Sequence, residues 1–267
     1  MTAGRHSFSI ADASTPNAGR IYDYLLGGDH NFEIDRVAAD QLLKDVPEMT
    51  LWVRLIRWFL AEATERLVKE GFTKFLDFAS GLPTVDHIHQ TAPKGTKVIY
   101  SDIDPVTVAY AQDIVAGLPD VAYVQGDAGS PELTLQLPVV DKLFDSDRKV
   151  AIGFNGIAWF LPDDRVRHAL QTFYDWAAPG SRLFLCDTNI AIVTPTTRKM
   201  EEFYKKVKEP VHQRNEARIR ELLGKWKICE PGLRPLEEWI PIERKRVEKA
   251  TEIGGGNLIG AILSKEG

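Results

Sequence analysis

Phe75-Leu76-Asp77-Phe78-Ala79-Ser80-Gly81 is a short apolar run that carries one acid and closes on small residues. Such a run, bounded by turn formers, reads as a strand covered on both faces. Four more follow: Val98-Ile99-Tyr100-Ser101-Asp102, Val121-Ala122-Tyr123-Val124, Lys149-Val150-Ala151-Ile152-Gly153-Phe154 and Arg182-Leu183-Phe184-Leu185-Cys186-Asp187. Segments with helical spacing lie between them, notably Val106 to Val115 and Val166 to Trp176. Strands alternating with helices predict βαβ units and a doubly wound, mainly parallel α/β sheet.

N-terminal to this region the texture differs. Residues 1–19 are rich in small polar residues and read as a flexible or draped arm. Residues 20–70 read as helix interrupted by the Gly27-Gly28-Asp29 turn signal and by Pro47, with no strand candidate. C-terminal to it, residues 198–223 have the spacing of one long helix stopped by Gly224. Lys225 to Glu230 and Asn257 to Ser264 read as final strands. We therefore divide the chain into an arm and helical cap over 1–65 and a ligand-binding core over 66–267, as one structural unit.

With 267 residues, 44% hydrophobic and 27% charged, the chain can bury a large core. The net charge of -5 supplies no general basic field, so a nucleic-acid partner is not expected. Cys186 and Cys229 give neither a disulfide framework nor zinc spacing. The N-terminus lacks an apolar signal core, and no stretch approaches the length of a membrane span. A cytoplasmic protein with no membrane partner is expected, its oligomeric state unspecified.

In an open parallel sheet, ligands sit beyond the carboxyl ends of the strands, at the switch point. Small residues after Asp77 let backbone approach a ligand closely. Asp102 closes the second strand, where a carboxylate can accept both hydrogens of a ribose diol. Asp127 closes the third, where it can accept from the exocyclic amine of a base. The alternative is that Asp102, Asp104 and Asp127 are caps and turn residues, with Pro105 at the first helical position after Asp104.

At these residues the chain resembles class I S-adenosylmethionine-dependent methyltransferases. Leu76-Asp77-Phe78-Ala79-Ser80-Gly81-Leu82-Pro83-Thr84 looks like their first motif. More narrowly it is similar to a mainly actinobacterial family, the S-adenosyl methyltransferases, once a domain of unknown function. Tyr22-Asp23-Tyr24-Leu25-Leu26-Gly27-Gly28, Tyr100-Ser101-Asp102-Ile103-Asp104-Pro105 and Phe160-Leu161-Pro162-Asp163-Asp164 match further segments of that family. Ala79-Ser80 stands where that family has Gly-Ser or Gly-Thr, and Trp159 where it often has histidine. The resemblance implies a seven-stranded Rossmann-like methyltransferase sheet with an N-terminal helical cap. S-adenosylmethionine would be the cofactor and S-adenosylhomocysteine the product.

The same resemblance implies the contacts. Asp77, Ala79, Ser80 and Gly81 would border the methionine part, Asp102 the ribose, and Ile103, Asp127 and Ala128 the adenine. Asn155 and Gly156 would lie under the cofactor. Tyr22, Tyr24 and Gly28 would fold over it, with residues 17–35 as a lid, the alternative for Tyr22 and Tyr24 being ordinary helix packing. Trp159, Tyr204 and His212, together with Tyr24 and His30, are the candidate lining of an acceptor pocket. Trp159 either stacks on a planar acceptor or fills core. His30 is the candidate general base, the alternative being a solvent-exposed turn residue.

Small-molecule methyl transfer is the function expected. A non-catalytic S-adenosylmethionine-binding protein and a protein or nucleic-acid methyltransferase are the alternatives. A nicotinamide enzyme would need Gly-x-Gly-x-x-Gly opening the first helix, where only Gly81 is present. No metal is expected. His87 and His89, two apart on an expected helix, would point to nearly opposite faces. Cys186 reads as a buried strand residue, Glu243 to Arg246 as a solvated face, and Gly254-Gly255-Gly256 as a turn.

Overall fold

The five apolar runs form β1 (Lys74–Phe78), β2 (Lys97–Asp102), β3 (Val121–Gln125), β4 (Ala151–Asn155) and β5 (Arg182–Thr188), all parallel. The computed structural model describes residues 14–190, 194–240 and 258–267. The readings of Glu243 to Arg246 and of Gly254 to Gly256 lie outside the described residues. At the C-terminal side come two-residue strands β6 (Lys227–Ile228) and β7 (Arg234–Pro235), then β8 (Leu258–Ser264). β8 runs antiparallel to β5, and β6 and β7 both pair with β8. The order is β3-β2-β1-β4-β5-β8-β6. Seven strands thus lie along the path, as expected, with β7 as a short addition. The chain reverses direction across the sheet between β1 and β4, which puts the switch-point crevice above their carboxyl ends.

Strand alternation assigns the two faces. Phe75, Val98, Tyr100, Ala151, Phe184 and Cys186 belong to one buried cluster, and Leu76, Phe78, Ile99, Ile152, Phe154 and Leu185 to the other. The first face is covered by α1 (Ala18–Leu25), α2 (Glu33–Asp45) and α3 (Met49–Lys69), with residues of α5 (Pro105–Ile114). The second is covered by α7 (Pro138–Phe144) and α8 (Asp163–Trp176). Short helices α4 (Ile88–Thr91) and α6 (Glu132–Leu135) follow the first and third strands, and α11 (Leu236–Trp239) packs on α3. The boundary drawn at residue 65 falls inside α3. Phe59 and Leu67 of that helix are fully buried in the same cluster as Phe75, so the cap and sheet share a core.

One element differs from its expected form. Residues 198–223 are two helices, α9 (Pro195–Lys206) and α10 (Glu216–Leu222), not one. Pro210 removes a backbone donor and Lys208 stands at φ 65, so the chain leaves the helical path between them. Gly224, at φ 60, follows the second helix as the stop signal indicated.

Candidate functional site

The site begins where β1 ends. Asp77 lies in register with Gly153 of β4. A Cβ at 153 would come within 2.0 Å of Asp77 Oδ1, so glycine there makes room for the carboxyl. Asp77 is buried, and burial pushes its pKa from 3.8 up to about 7, against the opposing pull of the Ser80 hydroxyl and the Arg57 charge. The loop beyond it is tightly wound. Ser80 Oγ donates to the Asp77 carbonyl at 2.8 Å and Ser80 N–H to the Ser101 carbonyl at 2.9 Å. Ala79 stands at φ 53, a left-handed conformation better suited to the glycine usual at this place.

The next strand ends supply acids with distinct duties. Asp102 accepts from Gly81 N–H at 3.1 Å and Asp104 N–H at 3.0 Å, and burial raises its pKa to about 6. Each carboxylate oxygen keeps lone-pair capacity toward a ligand. Asp104 is the cap of α5, accepting from Val106 and Thr107 N–H, with Pro105 behind it as expected. Asp127 accepts from Gly129 N–H at 2.9 Å and pairs with Arg165 at 2.6 Å. At β4, Asn155 Nδ2 donates to the Ile56 carbonyl at 3.3 Å. Its Oδ1 is buried with no partner among the described residues.

The cap closes over these ends. Met49, Trp52, Val53, Ile56, Arg57 and Leu60 of α3 all face the cavity at spacings of three and four, which is one helical face. Ala18, Tyr22 and Leu25 of α1 and Thr197, Met200 and Tyr204 of α9 supply the other walls. Tyr22 donates to the Val53 carbonyl at 3.0 Å, and burial pushes its phenol up to about 12. Arg20, almost wholly buried, pairs with Asp35 at 2.8 Å and Asp104 at 3.4 Å, which ties α1 to α2 and to the β2 end. Asp23 accepts from His30 N–H, from Asn31 Nδ2 and, at 3.2 Å, from Thr84 Oγ1 of the first motif. The two segments that resemble the family most closely are therefore hydrogen-bonded to each other.

The cavity measures about 470 Å³. It brings together Tyr22, Asp77, Ala79, Ser80, Gly81, Asp102, Ile103, Asp127, Ala128, Asn155, Gly156, Trp159 and Tyr204. Four expected residues do not line it. Tyr24 points outward and donates to Asp40 at 3.1 Å. Gly28 is structural: a Cβ there would meet the Asp23 carboxyl at 2.2 Å. His30 is drawn aside by the Asp23 latch, with its ring 6.1 Å from Tyr110 and its Nδ1 2.9 Å from the Asp29 carboxylate. His212 contributes its backbone N–H to the Trp159 carbonyl at 2.6 Å. Of residues 17–35, only Asn17, Ala18, Gly19, Tyr22 and Leu25 line the cavity.

Arg57, Trp52, Arg165 and Arg214 were missed in the sequence. Arg214, 3% exposed, pairs with Asp163 and Asp187 and donates to the Ala158 and Leu161 carbonyls at 2.9 and 2.5 Å. It thereby holds the Ala158–Phe160 turn that presents Trp159. His89 lies on the short α4 and His87 is its N-cap residue, and the two do not point to opposite faces: their rings stack at 27° with centroids 6.4 Å apart. Nε2 of His87 is 3.2 Å from the Ser80 carbonyl and Nδ1 of His89 is 2.9 Å from the Tyr100 hydroxyl. No cluster of three or more metal-ligating side chains occurs among the described residues. Cys186 is buried, and that burial pushes its thiol up, away from nucleophilic use. No described helix is long and apolar enough to cross a membrane.

A strand-end crevice lined by the buried acids Asp77 and Asp102, a tightly wound small-residue loop and an unpaired buried amide oxygen fits S-adenosylmethionine. The comparisons with known proteins agree. Residues 5–260 match the family model described as S-adenosyl methyltransferase. The crystal structure of a candidate methyltransferase from Thermobifida fusca YX is 29% identical, with 95% of this chain and 96% of that one covered, at a TM-score of 0.84. A DUF574 family protein from Streptomyces avermitilis MA-4680 is 25% identical, with 95% and 99% covered, at 0.85. Magnesium protoporphyrin IX methyltransferase from Synechocystis PCC 6803, solved with bound S-adenosylhomocysteine, is 14% identical, with 92% and 93% covered, at 0.54, a likeness of fold. No match is found among curated proteins.

Proposed function

This chain belongs to the S-adenosyl methyltransferase family, and from that premise we propose that it methylates a small molecule with a flat, apolar body. It is an S-adenosylmethionine-dependent methyltransferase, and S-adenosylmethionine is its cofactor. When bound, the cofactor supplies a methyl group activated by a sulfonium. The observation that carries the acceptor class is the aromatic and apolar wall of the cavity. Trp52, Trp159, Phe160, Met200 and Tyr204 line it, under a roof made by α1, α3 and α9. Such a chamber favours an apolar planar guest over a polymer. Its charged lining is partly spoken for, because Arg165 pairs with Asp127 and Glu209 accepts from Ala18 N–H at 3.2 Å.

Two polar atoms offer orientation. Trp52 Nε1 is buried without a partner among the described residues, as is Asn155 Oδ1. The indole can donate to an acceptor atom of the guest, and the amide can accept from an O–H or N–H. Positioning of this kind supplies much of the rate of an in-line transfer, and no base role is assigned to His30. Both described thiols, Cys186 and Cys229, are free, which supports a cytoplasmic setting as part of this reading.

Release of S-adenosylhomocysteine, measured across phenols, heteroaromatic amines, peptides and RNA, tests the proposal. Turnover is expected with planar small molecules, and turnover confined to peptides or RNA would overturn it. With the acceptor so found, Trp159→Ala should raise its KM by about 10-fold and leave the Kd for S-adenosylhomocysteine within about 2-fold.

A further inference from the structure

Arg57 is 5% exposed, yet its Nε and Nη1 have no hydrogen-bond partner among the described residues. It lies on the face of α3 that lines the cavity, with its guanidinium 5.4 Å from the centroid of the Tyr22 ring. Native proteins rarely bury a guanidinium without acceptors, because its donors lose water and gain nothing. The Tyr22 side chain offsets part of that loss through its ring face and its hydroxyl, and Nε and Nη1 are left without an acceptor. Two donors of a planar fork without an acceptor, on a side chain that lines the cavity, match the two oxygens of a carboxylate.

The position of Arg57 says which end of the ligand it meets. Its charge acts on Asp77 and His87, which flank the loop after β1. Asp102 stands on the far side of that loop, latched to Gly81, and Asp127 lies beyond it at the β3 end. A buried cation beside a buried acid is a complementary pair for an α-amino-acid zwitterion.

We propose that Arg57, a residue of the helical cap and not of the sheet, binds the α-carboxylate of the cofactor's amino-acid end, alongside Asp77 at its ammonium. The cap is then part of the cofactor site: α3 contributes the one charge that the motifs at the strand ends lack. A carboxylate on the acceptor is the other possible source of the same chemistry, and binding measured without acceptor separates the two.

The test is calorimetry on the intact protein with S-adenosylhomocysteine and with 5′-methylthioadenosine, the nucleoside thioether that lacks the amino-acid end. Wild-type protein should prefer S-adenosylhomocysteine strongly. Arg57→Met should weaken S-adenosylhomocysteine by about 10- to 100-fold and change 5′-methylthioadenosine by no more than about 2-fold, with a melting temperature no lower than that of wild type. Arg57→Lys, which keeps the charge and loses the fork, should fall between and serves if the methionine variant fails to fold. Equal weakening of both ligands, or an undiminished preference for S-adenosylhomocysteine, would overturn the proposal. So would an Arg57→Met protein that binds S-adenosylhomocysteine normally and loses only acceptor affinity. Wild-type protein that bound neither ligand would overturn the cofactor assignment itself, and the proposal with it.

Discussion

Replacing Asp77 by Asn should make the cofactor-free protein more stable at pH 8 while weakening its hold on the cofactor. The fold holds the Asp77 carboxyl at about 7 against 3.8 for an unburied one, and burial is the largest cause. The carboxyl is faced by Arg57 from α3, by the Ser80 hydroxyl of its own loop and by Asp102 from β2; Tyr22, Tyr100 and Tyr123 lie within its field. A carboxyl whose folded pKa is raised contributes stability below its unfolded pKa and loses it as pH rises through the folded one. Here the loss runs from about pH 4 to about pH 7 and reaches about 4 kcal/mol, at 1.36 kcal/mol per pKa unit. Asn has the same shape and does not titrate, so the variant escapes the loss. Urea unfolding of the two cofactor-free proteins should show an advantage of about 4 kcal/mol at pH 8. At pH 5 less than about 2 kcal/mol of it should remain. Asp102 and Asp187 are also raised, each to about 6. They titrate in both proteins and largely cancel in the comparison. Affinity for S-adenosylhomocysteine should fall by about 10-fold or more, for want of a charge opposite the ammonium. An identical stability difference at pH 5 and pH 8 would refute the reasoning, since only a titrating Asp77 makes it change.

Ala79→Gly should raise stability by about 0.5–1 kcal/mol in thermal unfolding, since relief of the left-handed strain at φ 53 exceeds the added flexibility of the unfolded chain; a lower melting temperature would mean that the methyl group is a packing contact. Arg214→Met should lower stability by about 3–5 kcal/mol, because Asp187 stays buried after losing its partner. That cost corresponds to a fall in Tm of about 6–10 °C, and an unchanged Tm would show that the pair is not worth its burial.

The strands were legible because their burial on both faces leaves an uninterrupted apolar run, and the strand-end acids because the order of a parallel sheet dictates where they gather. Side chains that cross from cap to sheet were not legible in that way. Arg54 and Arg57 look alike in the sequence of α3; only the stripe of Met49, Val53, Ile56 and Leu60, extended to position 57, marks the second as inward. Asp23 stands among apolar and aromatic residues in the sequence, and its three acceptor contacts come from chain brought near by the Gly27-Gly28 turn and by the loop after β1. His30 has suitable chemistry for a base, but a backbone bond to Asp23 sets its direction, which composition does not reveal. Pro210 stands inside the long helical pattern, and the apolar spacing that continues to Val211 hides the break it makes.

The cap is bound to the site so closely that neither has meaning without the other. Asp23 is bonded to Thr84, Arg20 to Asp104, and Asn155 to the Ile56 carbonyl, so the loops after β1, β2 and β4 each touch a cap helix. The first of these joins a cap motif to a sheet motif through one hydrogen bond. The second places a buried guanidinium on the residue that caps α5, two positions from Asp102. Ile21 and Leu25 share a buried cluster with Phe75, so removing residues 1–35 would open the core as well as the roof. A lid hung on a flexible linker would be spared that coupling. Here the contacts between cap helices and loops hold the strand ends in place, and α3 serves core and cavity together by packing Phe59 and Leu67 into the core while Trp52 and Arg57 face the cavity.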